Sequence, residues 1–152
     1  MVALTVTAGV ILSVALTVVV LGSWWFTPET WIADATDNEH KTPVTPATVG
    51  WTVLLMLVAV GVPVAAAWIG ATDHDAGFWE RALMAYLIFQ IFNLVDLVVI
   101  DIVIFVWIRP SWMTIEGYEM PDDYDLHVRG FVNGLAIGMP IAAVAAGVSA
   151  LA

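Results

Sequence analysis

Apolar and polar positions do not alternate along this chain. Apolar residues gather in four long blocks, at about 2–21, 49–70, 79–108 and 127–150, separated by polar connections. Each block reaches the ~20 residues that an α-helix needs to cross a hydrocarbon core about 30 Å thick. A helix satisfies its backbone donors and acceptors internally, which lipid requires. The pattern therefore predicts an all-α fold, an integral membrane four-helix bundle forming a single domain over residues 1–152. The first block lacks the basic n-region of a secretory signal, and no A-x-A site precedes "SWWF", so it reads as a retained span. Pro63 lies inside the second block as a kink site, and Pro140 lies inside the fourth.

Aromatic residues mark the ends of the blocks. Trp24, Trp25, Phe26, Trp31, Trp51, Trp107 and Trp112 fall on one side if every block crosses, and Trp68, Phe78 and Trp79 fall on the other. This is the two-belt pattern of spanning helices. The two long connections are expected to hold short interfacial helices. In the first, Thr27 would cap a helix with Pro28 and Glu29 in its opening turn, and Trp31 and Ile32 would hold it flat. In the other, Pro121, Asp122 and Asp123 would start the fourth helix in water, with acidic groups at the positive end of its dipole.

Composition sharpens this picture. The 152 residues are 61% hydrophobic, with a mean hydropathy of +0.93 and only 12% charged residues, too apolar for an ordinary soluble domain. Fourteen acidic residues against four basic ones give a net charge of −10. That excess argues against nucleic acid as a partner and against a polybasic grip on anionic lipid. It resembles the acidic surfaces of salt-adapted organisms such as halophilic archaea. With no cysteine, disulfides, thiolate metal sites and thiol catalysis are excluded, and with them the quinone-linked thiol oxidoreductases. Four crossings put Lys41, Arg109 and Arg129 on one side and Arg81 on the other. The positive-inside rule then places the long loops in the cytoplasm and both termini outside a cell membrane.

Two stripes of small residues predict close helix packing. One is Thr5, Gly9, Ser13 and Thr17; the other is Gly130, Gly134 and Gly138, continued by Ala142, Ala146 and Ala150. In lipid, such seams replace the missing hydrophobic drive between helices. They read either as helix one packed on helix four within the bundle, or as a homo-oligomer seam.

The third block carries the chemistry. On a helical wheel, Tyr86, Gln90, Asn93 and Asp101 share a narrow arc, with Asp96 at its edge. Measured from Trp107 at α-helical rise, Asp101 would lie roughly 9 Å inside and Asp96 roughly 16 Å inside. An ionised carboxylate at the midplane costs at least ~3 kcal/mol, so it must be protonated, paired or hydrated. Arg129, beside His127 at the entrance of helix four, is the expected partner of Asp101. Asp96 has no cation in view and is expected to bond Asn93 and hydroxyls of helix one such as Ser13, or to carry no charge.

Complete catalytic motifs are absent: there is no GxGD, no HExxH, and no spaced aspartate array of the phosphatidyltransferases. A metal site would have to be assembled from Asp101, His127 and Glu119 or Asp125; Asp123 and His127 stand four apart. A solvated acidic helix start explains that pair more simply, so neither a metal nor a cofactor is expected. "DHD", Asp73 to Asp75, reads as a polar turn.

"NLVDLVVID", followed by "IRPSWMTIEGYEMPDDYDLHVRGFVNG", resembles a pattern in small, uncharacterised four-helix membrane proteins of bacteria and archaea. The matching residues are Asn93, Asp96, Asp101, Ile115, Gly117, Glu119, His127, Arg129, Gly130 and Phe131, over roughly the C-terminal half. The resemblance carries no activity. It implies that helix three, the following loop and the start of helix four act as one unit. Three functional readings follow: an accessory subunit of a membrane assembly, a proton- or cation-coupling protein using Asp96 and Asp101, or an embedded enzyme or metal site near Asp101, Glu119 and His127.

Overall fold

The computed structural model describes residues 1–27, 45–111 and 124–151. Among these, every long element is helical: α1 is Val2–Phe26, α2 is Pro46–His74, α3 is Phe78–Ile108 and α4 is Tyr124–Ser149. All four are long and apolar enough to cross a membrane. They overrun the predicted blocks by a few residues; in α1 the added turn buries Ser23 and Trp24. The expected interfacial helices, and the acidic start at Pro121 to Asp123, lie outside the described residues.

Local chemistry sets several ends. At the start of α2, Thr45 and Thr48 form a reciprocal capping box. The Thr48 N–H donates to Thr45 Oγ1 at 3.1 Å and the Thr45 N–H to Thr48 Oγ1 at 2.9 Å, with Pro46 at the first helical position. Asp75 ends α2 in the left-handed region, φ 49°. The Gly77 N–H then donates to Glu80 Oε2 at 2.8 Å, which opens α3. The helix that Thr27 is expected to cap lies outside the described residues; Thr27 itself closes α1. Its N–H and its hydroxyl both donate to the Ser23 carbonyl, each at 2.8 Å.

The bundle is small inside and large outside. Its buried face is rich in Ala8, Gly9, Ala59, Ala66, Ala67, Ala85, Ala145 and Ala146, with Leu12, Leu16 and Ile88 filling the centre. The outward face carries Val2, Val6, Val10, Val14 and Val18 along α1, with Leu57, Trp79 and Ile137 on the other helices. Small residues let backbones approach closely, the arrangement that packs helices without help from water.

Helix order corrects one expectation. α1 packs on α2 and α3, and α4 also packs on α2 and α3, so α1 and α4 face each other across a diagonal. The two small-residue stripes therefore do not meet; both lean on α3. A Cβ at Gly9 would collide with Ile91, and one at Gly134 or Gly138 would collide with Asn93 or Gln90. The ends of the stripe differ, since Gly130 and Ala150 are exposed.

Candidate functional site

Polar groups of α3 meet α4 in two tiers. The deeper tier is an amide ladder. Asn93, buried, donates its Nδ2 to the Phe131 carbonyl at 3.0 Å and to Gln90 Oε1 at 3.1 Å. Gln90 Nε2 in turn donates to the Gly134 carbonyl at 3.4 Å. Two side-chain amides can lie flat on a helix backbone only where that helix has no side chains in the way, and Gly134 and Gly138 supply the gap. Tyr86 borders the same gap at Gly138.

The upper tier holds the ionisable groups. His127 Nδ1 lies 3.3 Å from Asp101 Oδ1, with side chains only 12% and 20% exposed. Asp96 lies within electrostatic reach of both Asp101 and His127. Above them, Trp107 Nε1 donates to the Tyr124 hydroxyl at 3.2 Å, tying the end of α3 to the start of α4.

The backbone explains why the two aspartates come together. Phe78–Val95 is α-helical, but Asp96–Ile108 is a π-helix of 13 residues. Five residues in an α-helix leave two side chains ~140° apart at ~100° per residue. In an i→i+5 ladder the fifth residue comes round to the same side. Asp96 and Asp101, five apart, therefore share the face turned to α4. The wider winding is also shorter, so both carboxylates lie nearer the Trp107 end than α-helical rise predicts.

Several sequence expectations change here. Arg129 is exposed, and the partner of Asp101 is His127. At the first turn of α4 the shorter imidazole lies on the face against α3, whereas Arg129 lies two residues round the helix. Ser13 is buried but donates to the Gly9 carbonyl of its own helix at 2.8 Å, and Asn93 uses its amide on Phe131 and Gln90 rather than on Asp96. Thr5 similarly donates to the Met1 carbonyl. Glu119 and Asp123 lie outside the described residues, among which no cluster of three His, Asp or Glu side chains could hold a metal. Asp73, His74 and Asp75 are exposed at the turn between α2 and α3.

At the opposite end, Arg81 Nη1 donates to the Ser149 carbonyl at 2.7 Å, holding the last turn of α4 against α3. Sequence reasoning used Arg81 only for orientation. The π winding and Tyr124 also went unread. The one local hint was the five-residue spacing of the aspartates.

The fold and the site define a class: among the described residues, four helices long and apolar enough to cross a membrane, with a carboxylate–imidazole contact between α3 and α4. Comparisons with protein-family models, curated proteins and solved structures found no match.

Proposed function

We propose that this chain is a multi-pass membrane protein that couples or conducts protons through the α3–α4 interface. Its bundle lies in the cell membrane with the long loops cytoplasmic. The insertion is supported by the inverted packing, since soluble monomers rarely expose contiguous apolar surface on the scale of Val2 to Val18 and its neighbours. One observation carries the functional reading: Asp101 is in ion-pair range of His127, with Asp96 on the same π-wound face below it. Ionisable side chains inside spanning helices are costly and mark proton or ion paths when they face one another. A carboxylate and an imidazole can pass a proton between them and on to a second carboxylate. In this reading Asp101 and His127 form the entry and Asp96 the deeper station. The Gln90–Asn93 ladder below binds the two helices together.

The test is proton flux in proteoliposomes loaded with a pH-sensitive dye, driven by an imposed potential. The unvaried chain should acidify the lumen, and Asp101→Asn, Asp96→Asn and His127→Gln should each lower the rate at least tenfold. Equal rates in all four proteins, or none above empty liposomes, would sink the proposal. Repeating the assay under the same potential with a sodium-sensitive dye separates the two cations.

A second reading, an accessory subunit of a membrane assembly, has its own support. Apolar grooves run along α3, one of about 540 Å³ beside Phe78, Trp79, Tyr86 and Met139, and one of about 410 Å³ beside Val6, Leu87 and Ile91. They have room for the side chains of another helix. Purification from native membranes in mild detergent should then give a stoichiometric partner; the chain alone would remove this reading.

A further inference from the structure

The length of the π segment sets it apart. π turns occur mostly as single-turn bulges inside α-helices and gather at functional sites. Here the winding persists for 13 residues and includes both aspartates. It ends where the Arg109 N–H donates to the Ile104 carbonyl five residues back, at 2.9 Å, with Arg109 in the left-handed region at φ 44°. Arg109 Nε donates to the Val106 carbonyl at 3.0 Å across the same end.

Nothing in the local sequence demands this winding. "DLVVIDIVIFVWI" contains neither glycine nor proline, and its residues can follow an i→i+4 ladder without steric conflict. The reasons for it are tertiary. In the π register Ile100 and Phe105 are buried against Val20 and Trp24, and the Trp24 and Phe105 rings lie 5.2 Å apart. In the same register Asp101 meets His127. Rewinding to an α-helix turns successive side chains by ~100° each, which would set Asp96 and Asp101 ~140° apart. It would also lengthen the segment, because the narrower helix rises further per residue.

We propose that Asp96–Ile108 is a two-state register element, kept π-wound by the contact between Asp101 and His127. Rewinding to an α-helix withdraws Asp101 from His127 and separates it from Asp96. The purpose of the switch, opening and closing a proton path, rests on the function proposed above; its geometry does not. Among the described residues, the charged and titratable groups near the segment are few. They are Asp96 and Asp101 on α3 with Arg109 just past its end, Tyr124 and His127 on α4 with the exposed Asp125 and Arg129, and none on α1 or on the half of α2 that packs here. Among the described residues, Asp101 Oδ1 and His127 Nδ1 meet at 3.3 Å between the segment and α4.

The absence of cysteine makes a distance measurement clean. Spin labels at Leu94→Cys and Ile108→Cys, both exposed positions, bracket the segment across 14 residues. An α-helix would put them about 21 Å apart. In the otherwise unchanged full chain in nanodiscs the distance should be shorter. It should lengthen towards the α-helical value when Asp101→Asn or His127→Gln is added. An α-helical distance in the unchanged chain overturns the proposal whatever the variants do. So does a distance that stays short in both variants once circular dichroism shows them folded. Flux lost in Asp101→Asn with an unaltered distance would overturn the switch and leave the proton path standing. A lengthened distance with flux intact would do the reverse.

Discussion

Gly130 and Gly134 stand one turn apart on α4 and meet different surroundings. A methyl group at Gly134 would run into the Asn93 amide, which is held there by the Phe131 carbonyl. At Gly130 nothing lies within 4 Å. Gly134→Ala should therefore destabilise the bundle by about 1–3 kcal/mol, the usual cost of overpacking. Gly130→Ala should be neutral or stabilising, since glycine inside a helix costs roughly 0.5–1 kcal/mol relative to alanine. Unfolding in mixed micelles by increasing SDS reads both, and equal effects would show that the seam does not depend on Asn93. The period of the small residues was legible because close backbone approach needs only a missing side chain. What approaches was not, since a stripe specifies a flat face and not its partner. The same limit hid the choice between His127 and Arg129. Both lie at the head of α4, and only the rotation of that helix decides which one reaches Asp101.

Elements show a second kind of limit. α3 has 31 residues, which as a continuous α-helix would extend about 46 Å, well beyond a core of about 30 Å. The π half shortens it and brings Trp107 level with Tyr124. No residue type encodes that winding, so wheel geometry placed Asp96 and Asp101 on a looser arc than the fold does. At the far end α4 stops where the Ser149 carbonyl meets Arg81. A cation there complements the negative end of the helix dipole, an effect worth typically 0.3–1 kcal/mol. Arg81→Gln should loosen only that terminus. Hydrogen exchange at residues 147–151 should speed up several-fold while the Ala142–Ala146 turn is unchanged. Faster exchange throughout α4 would mean that Arg81 supports the whole helix instead.

At the scale of the molecule, the alternating direction of the helices brings Phe26, Trp51 and Phe105 to one end and Met1, Gly70 and Ser149 to the other. Phe26 stacks on Trp51 at 5.9 Å, and Met1 and Met84 flank Gly70. The proposed sidedness therefore has a direct test. In right-side-out cells, a single Cys at His74 should react with an impermeant maleimide from outside, and one at Thr45 only after permeabilisation. The opposite pattern would invert the topology, and labelling of both from one side would break the assignment of four crossings.

The sequence by itself determined the four long apolar helices of the described residues, roughly where they begin and end, and that one of them carries two half-buried carboxylates. Those properties follow from the length and polarity of continuous runs, which are local. Only the tertiary structure decided that α1 and α4 lie on a diagonal, that α3 changes its winding at Asp96, and that Asp101 pairs with His127. Each of these depends on the rotation of one helix about its own axis relative to another. Many apolar faces satisfy the same hydropathy pattern, so that rotation is settled only when the side chains pack.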